Sequence, residues 1–235
     1  MKRVMLALFM LLVVGSPSYA CIGARQAAMG WAGVAISDDA TVAYWNPAAL
    51  VWVDNNVSVQ LYDPDDLQKH IAVKSGNVGL YLTKTWRRYY GQFAYAYVLN
   101  DSSSLGIALG GSAPNNCFDN NCYSMTSVSY LGNYKNLRYG FLLQDFYNFR
   151  PGIAYLGEYT TISAEVYSLF DHGFRSLRLG IEISVLPWVC VRAGQETHQS
   201  GDKDFMCGLG ISTNRFSVDW AKWDNSELVA IVLKF

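Results

Sequence analysis

The chain has 235 residues, of which 51% are hydrophobic and only 16% charged, and its formal net charge is −1. That length suits one domain of ordinary size, and so even a charge balance offers no basic field for nucleic acid. A mean hydropathy of +0.09 is too low for a bundle of apolar membrane helices, and after Ala20 no apolar run reaches the roughly 18 residues that a spanning helix needs.

Residues 1–20 read as a secretory signal peptide. Lys2 and Arg3 supply the positive start, Val4 to Val14 the apolar stretch, and Ser18-Tyr19-Ala20 the small residues of a cleavage site. An anchor helix is the alternative, disfavoured by the short run. Cys21 then stands at the expected mature N-terminus. Ordinary cleavage is preferred to lipidation, because a Leu three positions upstream is missing.

Residues 21–55 are rich in Ala and Gly and form a unit of their own. They predict a short strand, then a short helix capped by Ser37 or Asp38 and running through Tyr44, then a tight turn at Asn46-Pro47 that stops it. From residue 56 the pattern becomes strict alternation, the signature of half-buried strands. Val57, Val59 and Leu61 alternate, as do Phe93, Tyr95 and Tyr97, and Val229, Ile231, Leu233 and Phe235. Fourteen segments follow: 56–62, 69–75, 77–83, 89–99, 103–112, 123–132, 136–145, 151–157, 160–169, 176–185, 187–196, 204–213, 214–221 and 227–235.

The connections divide into two classes. Those at Tyr62–Lys69, Ser112–Cys122 and Phe170–Arg175 are polar and long; those at Gly76, Asp101, Tyr134 and Pro187 are very short. Alternate long and short connections are what an up-and-down membrane barrel has, with 16 Tyr and 20 Gly in keeping. An even strand number puts both chain ends on the short-turn, periplasmic side. Terminal Phe235 suits a signal to the barrel-assembly machinery. The expectation is an all-β, 14-stranded antiparallel transmembrane barrel in the outer membrane of a Gram-negative-type envelope, residues 56–235, with 21–55 as a separate unit buried against something larger. A soluble exported β-sandwich is the weaker alternative.

Five Cys in an exported chain point to an oxidising compartment. Cys117 and Cys122 share a polar loop and predict a disulfide staple, with a metal site disfavoured for want of His. Cys190 and Cys207 fall on neighbouring strands, either paired or as free buried thiols. Asp38-Asp39 read as helix caps rather than a catalytic pair. His70, His172 and His198 are scattered and make no nucleophile constellation, so no enzyme, metal or cofactor is expected. Asp63, Asp65 and Asp66 read as a solvated loop. Trp86, Tyr89, Tyr90, Trp188, Trp220 and Trp223 read as interface girdle.

One resemblance goes further. Gly23-Ala24-Arg25, Met29-Gly30, Ala32-Gly33-Val34-Ala35, Asp38-Asp39-Ala40 and Tyr44-Trp45-Asn46-Pro47-Ala48 occur in an order and spacing that resemble the N-terminal segment of the FadL-like outer-membrane superfamily, closest to PorV/PorQ-type barrels. Later echoes are Leu186-Pro187, Val191-Arg192-Ala193-Gly194 and Phe216-Ser217-Val218-Asp219-Trp220-Ala221. Ala49 departs from the usual Gly, and the chain is shorter than the long-chain fatty acid transporters. The resemblance implies that residues 21–55 fold into the barrel lumen as a short hatch, whose gating residues are Gly23, Arg25, Gly30, Asp38, Asp39, Asn46, Pro47 and Ala48. Asp38, Asp39 and Asn46 are expected to bond donors of the barrel wall, and Arg25 to pair with Glu165 or Glu182. It implies a passive channel for small hydrophobic compounds or, alternatively, a structural or docking barrel for a secretion or surface-protein partner.

Overall fold

The computed structural model describes residues 23–36, 38–62, 69–84, 88–114, 122–169, 174–223 and 226–235. The signal-peptide reading, Cys21, Ser37, Asp63, Asp65, Asp66, Trp86, Cys117 and His172 lie outside these residues.

The fourteen alternating segments become fourteen strands: β1 (Asn56–Tyr62), β2 (Lys69–Ser75), β3 (Val78–Lys84), β4 (Arg88–Asn100), β5 (Ser103–Pro114), β6 (Tyr123–Tyr134), β7 (Leu137–Gln144), β8 (Asn148–Leu156), β9 (Thr160–Tyr167), β10 (Ser176–Leu186), β11 (Val189–His198), β12 (Lys203–Ser212), β13 (Phe216–Trp223) and β14 (Ser226–Lys234). Each pairs antiparallel with its neighbours in sequence. β14 closes on β1, with Asn56 opposite Lys234 and Val59 opposite Ile231. The closed ring has no edge strands, which removes the sandwich alternative.

The alternation sorts side chains by face. In β3, Gly79, Tyr81 and Thr83 point inward while Val78, Leu80 and Leu82 point out. Phe93, Ile107, Leu109, Ile162 and Leu209 continue the outer apolar face, Leu109 with 62% of its surface exposed. A soluble monomer does not expose apolar surface so continuously. Tyr134, Tyr159, Trp188 and Phe235 lie exposed at the tight-turn end, and Tyr89, Tyr123 and Tyr147 at the other. Two girdle expectations are corrected. Trp223 turns inward onto Trp31, ring centroids 5.5 Å apart, and Tyr90 lines an internal cavity.

β8 begins before its predicted start. Pro151 sits within it opposite Phe141. The ladder to β9 starts only at Gly152, so Pro151 stands beside an unpaired stretch of that neighbour, a position a residue without an N–H tolerates.

The segment before β1 holds helix α1 (Ala24–Ala28), helix α2 (Val42–Trp45) and a 3-10 helix over Pro47–Trp52. The expected short strand is absent among its described residues. The chain there closes its own hydrogen bonds in turns at Ala27–Gly33. α2 also starts later than expected, with Thr41 as its N-cap. Asp39 accepts from the Thr41 amide at 2.7 Å instead of capping the helix. α1 packs on β11 to β14, α2 on β3 and β4, and the 3-10 helix on β3 to β6. Those strands stand on opposite sides of the ring, so the segment lies inside it.

No disulfide forms among the described residues, which overturns the Cys122 staple and leaves the free-thiol alternative for Cys190 and Cys207. Cys122, Cys190 and Cys207 are free thiols. In β11 and β12, Cys190 is on the inward set with Arg192, and Cys207 on the outward set with Leu209. Cys190 stands opposite Gly210, and Cys207 opposite Ala193. Two Cys on opposite faces of a sheet cannot bring their sulfurs together.

Candidate functional site

The segment's polar groups and the wall's small residues together set how the lumen is filled. Gly23 adopts φ 88° and donates its amide to Gln60 Oε1 at 2.7 Å. α1 then lies where Gly208 leaves room for Ala28; a Cβ there would stand 2.5 Å from that methyl. Met29 and Gly30 come into backbone contact with the wall. A Cβ on Gly194 would stand 2.0 Å from Gly30 N, and one on Gly180 2.5 Å from Met29 O. Gly30 has φ +65° and faces wall backbone at under 3 Å, so it must be Gly for both reasons.

Arg25 joins this end to a charged wall. It donates to both carboxylate oxygens of Glu182, at 2.9 and 2.8 Å, and pairs with Asp38. Of the two expected partners, Glu165 is not used. Glu182 also accepts from Arg192 Nε at 2.5 Å, and Arg192 continues to Asp219 at 2.5 Å. A second chain runs above it. Glu165 accepts from Arg150 at 2.9 and 2.6 Å and from Arg178 at 3.3 Å, and Arg178 reaches Glu196 at 3.0 Å. Glu165 also accepts from the Val34 amide at 2.9 Å.

Charge thus runs the opposite way to the expectation for the segment's acids. Asp38 and Asp39 are satisfied within the segment, by Arg25 and Thr41, while acceptors from the wall reach in. Besides Glu165 and Glu182, Asn56 Oδ1 accepts from the Ala40 amide at 2.8 Å. Burial, and then the adjacent charge of Asp38, push the Asp39 carboxyl up to about 6, against the lowering by its Thr41 hydrogen bonds.

Toward the other half of the lumen the segment's bonds are neutral. Asn46 bridges the segment to itself and to the wall. Its Oδ1 accepts from Ala48 N at 3.1 Å, and its Nδ2 donates to Val34 O at 2.8 Å and Tyr130 O at 3.2 Å. Pro47 opens the 3-10 helix, where a missing N–H costs nothing. Ala48 N donates to Ser129 Oγ at 2.9 Å, and Ser104 Oγ donates to Ala48 O at 2.7 Å. Gly106 lets this turn approach; a Cβ there would sit 2.1 Å from Ala48 N.

Two cavities flank the segment. At the tight-turn end, about 200 Å³ is lined by Arg25, Asp39, Glu182, Arg192 and Asp219. At the long-loop end, about 180 Å³ is lined by Tyr44, Tyr81, Tyr90, Gln92 and Met125. Tyr44 forms its floor and packs on Tyr81 at 5.4 Å. The sequence reading missed this second cavity, and its one available signal was the inward register of Tyr81, Tyr90 and Met125. It also missed the charged chains, although Arg150, Glu165, Arg178 and Glu196 all fall on inward positions of their strands.

No family model matches the sequence, and no curated protein matches it. Among solved structures the chain is similar to the CymD monoaromatic hydrocarbon channel, with a TM-score of 0.67 and 11% identity over 95% of this chain and 98% of that one. A triple mutant of Rh. blastica porin aligns at 10% identity and a TM-score of 0.45, over 77% of this chain and 99% of that one. The first likeness establishes a common fold.

Proposed function

We propose that this protein spans the outer membrane and is a passive channel for small hydrophobic compounds, with residues 21–55 as its hatch. The observation that carries this reading is the aromatic cavity of about 180 Å³ above Tyr44, since an apolar cavity of about 150 Å³ accommodates one benzene ring. The apolar outer face supports membrane insertion, because only a closed barrel or helices satisfy the backbone in lipid. The printed description of CymD, a monoaromatic hydrocarbon channel, agrees with that ligand size. In this reading the ligand enters at the long-loop end, rests on Tyr44, and passes when the segment around Asn46, Pro47 and Ala48 shifts. Gly23, Arg25, Gly30, Asp38 and Asp39 hold the remainder of the hatch in place.

The test is uptake of a labelled single-ring aromatic by Gram-negative cells with and without the barrel. Expression should speed uptake, and Met125→Trp, which fills the cavity, should abolish the gain. Equal uptake in all three strains would refute the reading.

A second reading, a structural or docking barrel related to PorV/PorQ-type proteins, is favoured by the close fit of Gly30 to Gly194, which suits a segment that never moves. Gentle extraction from intact membranes should then recover a stable partner, and a solitary barrel would refute it.

A further inference from the structure

The aromatic cavity is not wholly apolar. Gln92 lines it, standing on β4 opposite Tyr81 of β3 and Gly110 of β5, with only 7% of its surface exposed. Its Nε2 donates to Ala43 O at 2.9 Å and to Ser127 Oγ at 3.4 Å. The second bond passes over Gly110, which has no side chain to block it. The Ala43 carbonyl can only accept, so the end of the carboxamide that faces it is the nitrogen. That leaves Oε1 for the cavity, without a partner among the described residues. The hydroxyl of Thr83, also in the lining, is already committed as a donor to Lys69 O at 3.1 Å.

An amide oxygen buried without a donor is costly. A hydrocarbon ring seated in this cavity would leave Oε1 in that condition. A ring of the same size that carries a hydroxyl would pair with it, and a site that offers a hydrogen bond discriminates against the analogue lacking it. The lining holds no charged side chain, so a carboxylate or phenolate would be buried without a counter-charge beside an acceptor that repels it. The rings of Tyr44, Tyr81 and Tyr90 supply aromatic surface for the ligand's own ring.

We propose that the cavity selects neutral single-ring phenols over single-ring hydrocarbons, with the phenol hydroxyl donating to Gln92 Oε1. This inference rests on the reading of the cavity as the ligand site of a channel. It adds the chemical class of the ligand and the residue that sets it.

The test is fluorine NMR of the detergent-extracted barrel with para-fluorophenol and, separately, with fluorobenzene, which has the same ring and no donor. At pH 7 the phenol is neutral, since such a hydroxyl titrates at about 10. Micelles take up both compounds, so binding is read as the excess over the Met125→Trp barrel, whose cavity is filled. Wild type should bind para-fluorophenol about tenfold more tightly than fluorobenzene, the size of one hydrogen bond made against one left unmade. Gln92→Met removes the acceptor at similar length and should bring the two to parity. A loosened cavity would weaken both compounds alike, so the ratio reads the acceptor itself. Equal binding in the wild type, or a preference that survives in Gln92→Met, would overturn the phenol assignment while leaving the aromatic site standing. No excess of either compound over Met125→Trp would overturn the site reading and the assignment with it. Heat-dependent gel mobility of each variant confirms that the barrel has formed, and the wild-type ratio alone is enough to refute the proposal.

Discussion

Replacing Glu165 with Gln should destabilise the protein more than any other isosteric change in the lumen. Arg150 is 2% exposed, and Glu165 is the only carboxylate it contacts among the described residues. Its other neighbours are the rings of Trp45 and Tyr167, at 5.0 and 5.2 Å. Arg178 also loses a contact but keeps Glu196. Removing one partner of a buried pair costs about 3–5 kcal/mol, and the lower end applies because Gln still offers one acceptor. For a chain of this size each kcal/mol lowers the melting temperature by about 2–4 °C, so a fall of about 6–12 °C is expected. The assay is thermal unfolding of the detergent-extracted barrel, followed by far-ultraviolet circular dichroism. Arg150→Met added to Glu165→Gln removes the uncompensated charge and should recover part of the loss. A single variant that melts with the wild type, or a double variant whose loss is the sum of the two singles, would refute a coupled buried pair.

Three further outcomes follow from the geometry. Gly194→Ala puts a methyl into the backbone of Gly30 and should raise ion conductance in planar bilayers and lower the melting temperature, whereas Gly91→Ala on the outer face should do neither. Asp39 binds its proton more tightly folded, at about 6 against an ordinary 3.8, so its ionisation weighs against the fold at high pH. Stability should therefore rise as pH falls from above 6 toward 4, by up to about 3 kcal/mol, and Asp39→Asn should flatten that rise in melting temperatures taken across the range. After mild oxidation Cys190 and Cys207 should both remain alkylatable, and a mass showing them linked would refute the register of β11 and β12.

The barrel was legible because period-two alternation is imposed on every strand by the difference between its two faces. Strand ends were less so. Pro151 suggested a boundary, yet β8 runs through it because β9 does not pair there. The N-terminal segment was legible as a separate unit but not in its local structure. Its helices are a turn or so long, too short for periodicity to register, and their shape is set by the glycines of strands far along the chain. The choice between a pair and free thiols at Cys190 and Cys207 was not legible, because spacing in sequence says nothing of face. Cys190 and Cys207 need only an odd offset in register to point apart.

The late motifs now have a physical reading. Arg192 and Gly194 in β11, and Asp219 and Ala221 in β13, touch or surround the path of Arg25, Ala28 and Gly30, so the early and late motifs are two sides of one contact. That contact differs in kind from the one around Asn46. The α1 end is held by charge-assisted bonds, the pair of Arg25 with Glu182 among them, and by backbone pressed into glycine gaps. The 3-10 end is held to the wall by neutral bonds to Ser104, Ser129 and the Tyr130 carbonyl, each worth about 1 kcal/mol. Breaking a buried ion pair costs about three times as much or more. If the segment is the hatch of the proposed channel, it would open at Asn46–Ala48 while α1 stays docked, and the cavity floored by Tyr44 would lie beside its opening end.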